Sequence, residues 1–226
     1  MPLREDKSCY ASSVQRDVLI RLATNTDIEK HFFLTGGTAL SVFYLHHRSS
    51  EDLDLFSIDE LALSPIAFWI RAEWPYEQAV LRSSSHFLSL LVQQVRVDFV
   101  IDPLSEKEKR ERFNWQGGHS LMIDTIGNIA SNKLCTLVSR TEPKDYIDFY
   151  FLLKDFPELQ IETLYVDAKQ KEALLDDPPT AAYQLEEGIR FLKSHKELIP
   201  SLKRSLDLDD LVDFYDNLAK RLYLKF

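Results

Sequence analysis

The chain has 226 residues, 45% of them hydrophobic and 12% aromatic, with a formal net charge of −9. That is enough apolar material for one large core or two small ones, and six glycines without a low-complexity tract argue against disorder. The acidic balance argues against a dedicated nonspecific nucleic-acid binder, two cysteines exclude a disulfide framework, and the longest apolar runs are too short to cross a bilayer.

Residues 11–24 have helical periodicity, with Val14, Val18, Leu19 and Leu22 on one side. Thr26 or Asp27 can cap a short turn. Phe32-Phe33-Leu34 reads as a short buried strand, broken by Gly36-Gly37. A helix over 38–45 follows, apolar at 39, 40, 42, 43 and 45. Residues 52–57 form the next strand. Ser64-Pro65 is a helix start, with serine as N-cap and proline at the first helical position. Residues 78–81, 87–92 and 95–101 are rich in β-branched and aromatic residues and read as a meander. In the last of these, Val95, Val97, Phe99 and Ile101 face one way, Arg96 and Asp98 the other. From 105 to His119 polar residues dominate. Helices are then predicted over 124–139, 143–155, 161–175, 179–194 and 207–224. The fold class expected is α+β: a small mixed twisted sheet flanked by helices over 1–104, then a helical region over 105–226.

The richest stretch is Leu34-Thr-Gly-Gly-Thr-Ala-Leu40 with Arg48-Ser-Ser-Glu-Asp-Leu-Asp-Leu-Phe56. Strand alternation sends Leu53 and Leu55 to one face, Asp52 and Asp54 to the other. Two carboxylates on one face, near backbone amides that glycine leaves accessible, can hold a metal ion and a phosphate chain together. Downstream, Lys133 and Arg140 lie two helical turns apart on one helix face, and Asp145 and Asp148 share a face of the next. His46-His47 lacks a third soft ligand at a suitable spacing, and Gly36-Gly37 lacks the Lys-Ser/Thr of a Walker loop.

Gly36-Gly37-Thr38-Ala39-Leu40 and Arg48-x-Ser50-x-Asp52-x-Asp54-Leu55-Phe56 resemble the signature of the AbiEii/AbiGii toxin family of nucleotidyltransferases, in the DNA polymerase β-like superfamily. The helical block from Asp124 through Lys133 and Arg140 to Lys144-Asp145-x-x-Asp148 is similar to the family's second block. Lys144 stands where the family pattern has arginine, and the two cations bind phosphate with different geometry.

The resemblance implies transfer of a nucleoside monophosphate from a nucleoside triphosphate to an acceptor hydroxyl. Two Mg²⁺ ions would be held by Asp52, Asp54 and a third acid, which the superfamily places on a neighbouring strand and which here is Asp98. Gly36, Gly37, Thr38, Arg48 and Ser50 would approach the phosphates, with Ser50 also a candidate point of control. Lys133 and Arg140 would neutralise pyrophosphate, with Asp145 and Asp148 fixing them or contacting base or acceptor. The helical domain would complete the nucleotide site. Lys133→Ala is therefore expected to weaken triphosphate handling far more than stability. The implied setting is a toxin–antitoxin or phage-defence pair with a cognate antitoxin, acting on the 3′ end of tRNA. Met1–Lys7 carries no hydrophobic signal region, which predicts a cytoplasmic protein without a membrane partner. Two alternatives remain open from the residues alone: a noncatalytic nucleotide-binding regulator, and the same chemistry on a small molecule or a protein.

Overall fold

The computed structural model describes residues 3–105 and 109–224. The chain divides into two compact units, Met1–Ile126 and Gly127–Phe226.

The first unit opens with a 3₁₀ turn at Lys7–Cys9 and two helices, α1 (Ser13–Leu22) and α2 (Thr26–His31). Ser12 caps α1 by accepting from the Gln15 amide, and Asn25 caps α2 by accepting from Asp27 and Ile28. The cap of α2 is thus Asn25, one residue before the positions expected. Helix α1 is also rotated from expectation. Val14 is 40% exposed, while Gln15 is buried with Val18, Leu19 and Leu22, because its amide finds buried partners described below.

Strand β1 (Phe33–Thr35) runs into a helical turn, α3 (Gly36–Ala39), which continues as a π-helix over Leu40–Leu45. The apolar positions 39, 40, 42, 43 and 45 are all buried, and the widened turn ends at His46, in the left-handed region at φ 51°. Next come β2 (Leu53–Ser57) and α4 (Ser64–Glu73). Ser64 lies inside α4 rather than capping it. Leu63 is the cap residue and supplies no side-chain acceptor, and Pro65 in the first turn lacks an amide that would need one. Strands β3 (Gln78–Ser83), β4 (Phe87–Val92) and β5 (Val95–Ile101) form the expected meander.

Two strands were not foreseen. β6 (Glu111–Asn114) and β7 (Ser120–Ile123) form a hairpin whose turn holds Gly117 and Gly118 at φ 105° and 84°. Among the described residues the sheet has seven strands in the order β3-β4-β5-β2-β1-β7-β6. β2 is antiparallel to β1 and parallel to β5, and β1 is parallel to β7. Residues 109–126, expected to open the helical region, therefore belong with the sheet. β6 escaped recognition because it is an edge strand with charged, mostly exposed side chains, so no alternating apolar pattern marks it. It is tied inward by Arg110, whose Nε donates to Asp124 at 2.9 Å and whose guanidinium stacks 3.6 Å over the Phe33 ring. Asp124 also accepts from the Thr35 hydroxyl at 2.6 Å, so one buried carboxylate links β1 with the segment after β7.

The second unit is helical: α5 (Ile126–Ser139), α6 (Pro143–Asp155), α7 (Ile161–Lys169), α8 (Pro178–Ser194) and α9 (Leu208–Tyr223). The helix expected over 161–175 stops at Lys169, and a 3₁₀ turn at Ala173–Asp176 follows. The core is built on Tyr146 and Tyr215, both buried, with the Tyr215 hydroxyl donating to the Tyr146 carbonyl at 2.7 Å. Helix α8 approaches α6 closely at Gly188: a Cβ there would lie 1.7 Å from the Tyr146 hydroxyl. No helix among the described residues is long and apolar enough to cross a membrane.

Candidate active site

The carboxylates of the first unit are placed by sheet register. Parallel pairing of β2 with β5 sets Asp54 opposite Asp98, and antiparallel pairing of β1 with β2 sets Asp54 opposite Thr35. Paired residues of neighbouring strands project to the same face, so Asp54 and Asp98 stand side by side. Asp52, two residues before Asp54, follows in the same phase. Leu53, Leu55, Val97 and Phe99, in the opposite phase, are fully buried and anchor both strands.

Asp98 is the most enclosed of the three. It accepts from the Ser89 hydroxyl at 2.5 Å and pairs with Arg96 through Nη2 at 2.9 Å. The hydrogen bond Arg96 donates to Asp98 is the largest influence on the guanidinium and raises its pKa; burial opposes it, and the charges of Asp98, Asp52 and Asp54 add to the rise. One half-exposed guanidinium therefore feels all three carboxylates at once.

The glycine pair lies against these acids. Gly36 has φ 67°, a conformation that L side chains rarely adopt. A Cβ at Gly36 would fall 2.1 Å from Asp54 Oδ2 and 3.2 Å from the Asp54 Cβ. A Cβ at Gly37 would fall 2.8 Å from Arg48 Nη2 and 3.0 Å from the Ser50 hydroxyl. The glycines thus let backbone reach the carboxylate on one side and the Arg48–Ser50 pair on the other.

Thr38 was expected to offer its hydroxyl to phosphate. It is fully buried, and its hydroxyl donates to the Asp52 carbonyl. Gln15 Nε2 lies 3.3 Å from that hydroxyl and 3.4 Å from the same carbonyl, while Gln15 Oε1 accepts from the Ala11 amide at 2.8 Å. Thr38 and Gln15 therefore position the strand entry from below. Gln15 had no signal in the sequence beyond an uncharged amide on the inner face of a helix. Ser50 is 6% exposed, and its backbone exchanges hydrogen bonds with the N-terminal segment: Ser50 N to Cys9 O at 3.0 Å and Ala11 N to Ser50 O at 3.2 Å.

The donor set suits a hard divalent cation: three carboxylates, no thiol or imidazole among them, and a glycine opening beside one. As the side chains stand, the three do not come within 4.8 Å as a set, and Arg96 supplies the positive charge beside Asp98. The fit to a metal rests on the donor chemistry and on the register that puts Asp54 beside Asp98.

In the second unit, Lys133, Arg140, Asp145 and Asp148 form one network. Lys133 Nζ lies 2.7 Å from Asp145 Oδ1 and 2.5 Å from Asp148 Oδ2, and Arg140 Nε donates to Asp145 Oδ2 at 2.8 Å. Both aspartates are fully buried and the Lys133 side chain is 7% exposed. Burial would raise the Asp145 pKa, but the charge of Lys133 and the bond from Arg140 outweigh it and hold the carboxyl below its ordinary value. Lys144 pairs with Glu142 at 3.0 Å on the surface, outside this network.

Residues 17–69 and 66–217 match the family described as Nucleotidyl transferase AbiEii toxin, Type IV TA system. No curated protein matches in sequence. Among solved structures, JHP933 from Helicobacter pylori is similar at 17% identity over 95% of this chain and 94% of that one, with a TM-score of 0.58. A candidate nucleotidyltransferase from H. pylori is similar at 17% identity over 97% and 96%, with a TM-score of 0.57. MenT4, a nucleotidyltransferase toxin from Mycobacterium tuberculosis, is 14% identical over 92% and 80%, with a TM-score of 0.49. The two H. pylori likenesses show a shared fold.

Proposed function

The chain belongs to the AbiEii nucleotidyltransferase toxin family, and on that premise we propose that it transfers a nucleoside monophosphate from a nucleoside triphosphate to the 3′ end of tRNA, as a cytoplasmic toxin paired with an antitoxin. The observation that carries the proposal is the register that sets Asp54 beside Asp98, with Asp52 in phase and Gly36 packed on the Asp54 carboxylate.

In this reading Asp52, Asp54 and Asp98 would hold Mg²⁺, two ions in the arrangement the chemistry favours. When bound, the metal neutralises phosphate oxygens and makes the acceptor hydroxyl easier to deprotonate. Asp98, held by Ser89 and Arg96, would help orient that hydroxyl or take its proton. Gly36 and Gly37 admit the β,γ-phosphates close to backbone, and Arg48 and Ser50 contact them. Thr38 acts at one remove, holding the Asp52 carbonyl and so the entry to β2. In the second unit, Asp145 and Asp148 fix the Lys133 ammonium and Arg140 holds Asp145; a role for these four in handling the triphosphate is part of the proposal. Much of the barrier to such a transfer is charge and alignment, so fixed groups of this kind are what it requires.

The net charge of −9 favours a second reading of the acceptor, a small molecule or a protein rather than RNA. Purified protein would be incubated with Mg²⁺, total tRNA and each α-³²P-labelled nucleoside triphosphate in turn, beside Asp54→Ala. Label on tRNA that is lost in the variant supports the proposal. Label on protein or a small molecule keeps the enzyme and replaces the acceptor. Nucleotide binding without transfer would make the chain a regulator instead.

A further inference from the structure

A second group of ligands lies away from the carboxylate strands. One ligand atom each from Asp6, Cys9 and His46 comes within 4.8 Å of the other two; among the described residues this is the group of three that does so. The three come from distant parts of the chain. Asp6 and Cys9 flank the 3₁₀ turn Lys7–Cys9, and His46 closes the π-helix Leu40–Leu45.

Backbone bonds hold the two segments together. The Asp6 amide donates to Val42 O at 2.9 Å, the Cys9 amide to Asp6 O at 3.1 Å, and the His46 amide to Ser41 O at 3.0 Å. One feature points beyond ordinary packing. His46 Nδ1 is buried without a hydrogen-bond partner, which is costly for an imidazole nitrogen. Its φ of 51° is the left-handed cap common at helix ends, and it fixes where the ring leaves the π-helix. Cys9 is wholly buried. Asp6 Oδ1 accepts from Ser8 N at 2.9 Å and Ser8 Oγ at 2.7 Å, a cap that fixes the carboxylate beside the 3₁₀ turn.

We propose that Asp6, Cys9 and His46 bind one zinc-class divalent ion, fastening the N-terminal segment to the end of the π-helix. A thiolate, an imidazole and one carboxylate are the donors Zn²⁺ takes and Mg²⁺ does not. Zinc bond lengths of about 2.0–2.3 Å at tetrahedral angles put ligand atoms roughly 3.4–3.6 Å apart, so closing from within 4.8 Å needs only side-chain adjustment. The Cys9 thiol loses its proton to solvent as the Zn–S bond forms, so affinity rises with pH. Three protein ligands leave a fourth position for water. Because Cys9 O accepts from the Ser50 amide, the ion tightens the loop that leads into Asp52. The proposal does not depend on the transfer chemistry above.

The test uses the full chain, freed of metal by chelator and titrated with Zn²⁺ and, separately, Co²⁺. Wild type and Cys135→Ser are expected to show the near-ultraviolet absorption of a thiolate bound to Co²⁺, saturating at one equivalent of that signal, and to melt at a higher temperature with Zn²⁺ than without. Cys9→Ser is expected to lose the thiolate absorption and His46→Gln to bind at least tenfold more weakly. Co²⁺ at Asp52, Asp54 and Asp98 would give no thiolate band, so the two sites read separately. Absence of a stoichiometric thiolate band in wild type, or a band that survives Cys9→Ser, overturns the proposal. If Cys9→Ser fails to fold, the band in Cys135→Ser, whose one thiol is Cys9, decides.

Discussion

Gly36→Ala is the sharpest test of how backbone and carboxylate are fitted together. Alanine at φ 67° costs about 1–2 kcal/mol for the left-handed conformation alone. Its Cβ would then stand 2.1 Å from Asp54 Oδ2 and 2.9 Å from Asp54 Cγ. Rotating the carboxylate relieves those contacts at roughly 0.5–1.5 kcal/mol if it leaves its preferred rotamer. The 3.2 Å contact with the Asp54 Cβ remains, because that atom moves only with β2. The sum is about 2–3 kcal/mol, or a fall of about 4–12 °C in the apparent Tm for a protein of this size. A carboxylate displaced by about an ångström is expected to cost roughly 10²-fold in kcat/KM. Gly37→Ala is the comparison: its clashes are with the tips of Arg48 and Ser50, and its backbone is unstrained, so the loss should be smaller on both counts. Differential scanning calorimetry and initial rates of nucleotide transfer would measure both variants. A Gly36→Ala protein that melts and turns over like wild type would refute the fit between Gly36 and Asp54.

Other perturbations follow from the second unit. Lys133→Ala leaves Asp145 with Arg140 and takes from the buried Asp148 the ammonium 2.5 Å away, so a loss of about 3–5 kcal/mol is expected in chemical denaturation, where the sequence suggested a variant impaired chiefly in triphosphate handling. Near-wild-type stability in that variant would mean the network is not formed. Gly188→Ala drives a methyl into the buried Tyr146 ring and should destabilise by several kcal/mol, on the order of other overpacked cores, read from the same denaturation curves. The pH dependence has a definite sign. Asp145 is held below its ordinary value, as is Glu5, where burial is outweighed by bonds from Arg16, Trp115 and Tyr10. A depressed carboxylate contributes stability at pH above its unfolded value of about 4, lost as pH falls through the folded one. Denaturation midpoints should therefore drop steadily as pH is lowered from about 5, and Glu5→Gln should flatten part of that slope.

Local chemistry made much of this protein legible. Periods of two and 3.6 need only the residues themselves, and they placed β2, β4, β5, α5, α6 and α8 within a few positions. The shared face of Asp52 and Asp54 and the close approach of the glycine pair could be read ahead because strand alternation and glycine's backbone freedom are properties of single residues; the metal and phosphate they would hold stay part of the proposal. What stayed hidden needed distant partners. Glu111–Asn114 is a strand because Ser120–Ile123 pairs with it, not because its charged side chains prefer one. Gln15 turned inward because Ala11, Thr38 and the Asp52 carbonyl satisfy its amide.

The sequence by itself determined which residue types were available for chemistry and the phase in which each strand or helix presents them, since both depend on covalent order. Only the tertiary structure decided their partners. It set Asp98 opposite Asp54, gave the Thr38 hydroxyl to the Asp52 carbonyl, drew Lys133 between two buried carboxylates, and brought His46 to Cys9. The reason is physical: a buried polar group must be matched by whichever group the packing of the whole core delivers, and no local pattern names that group in advance.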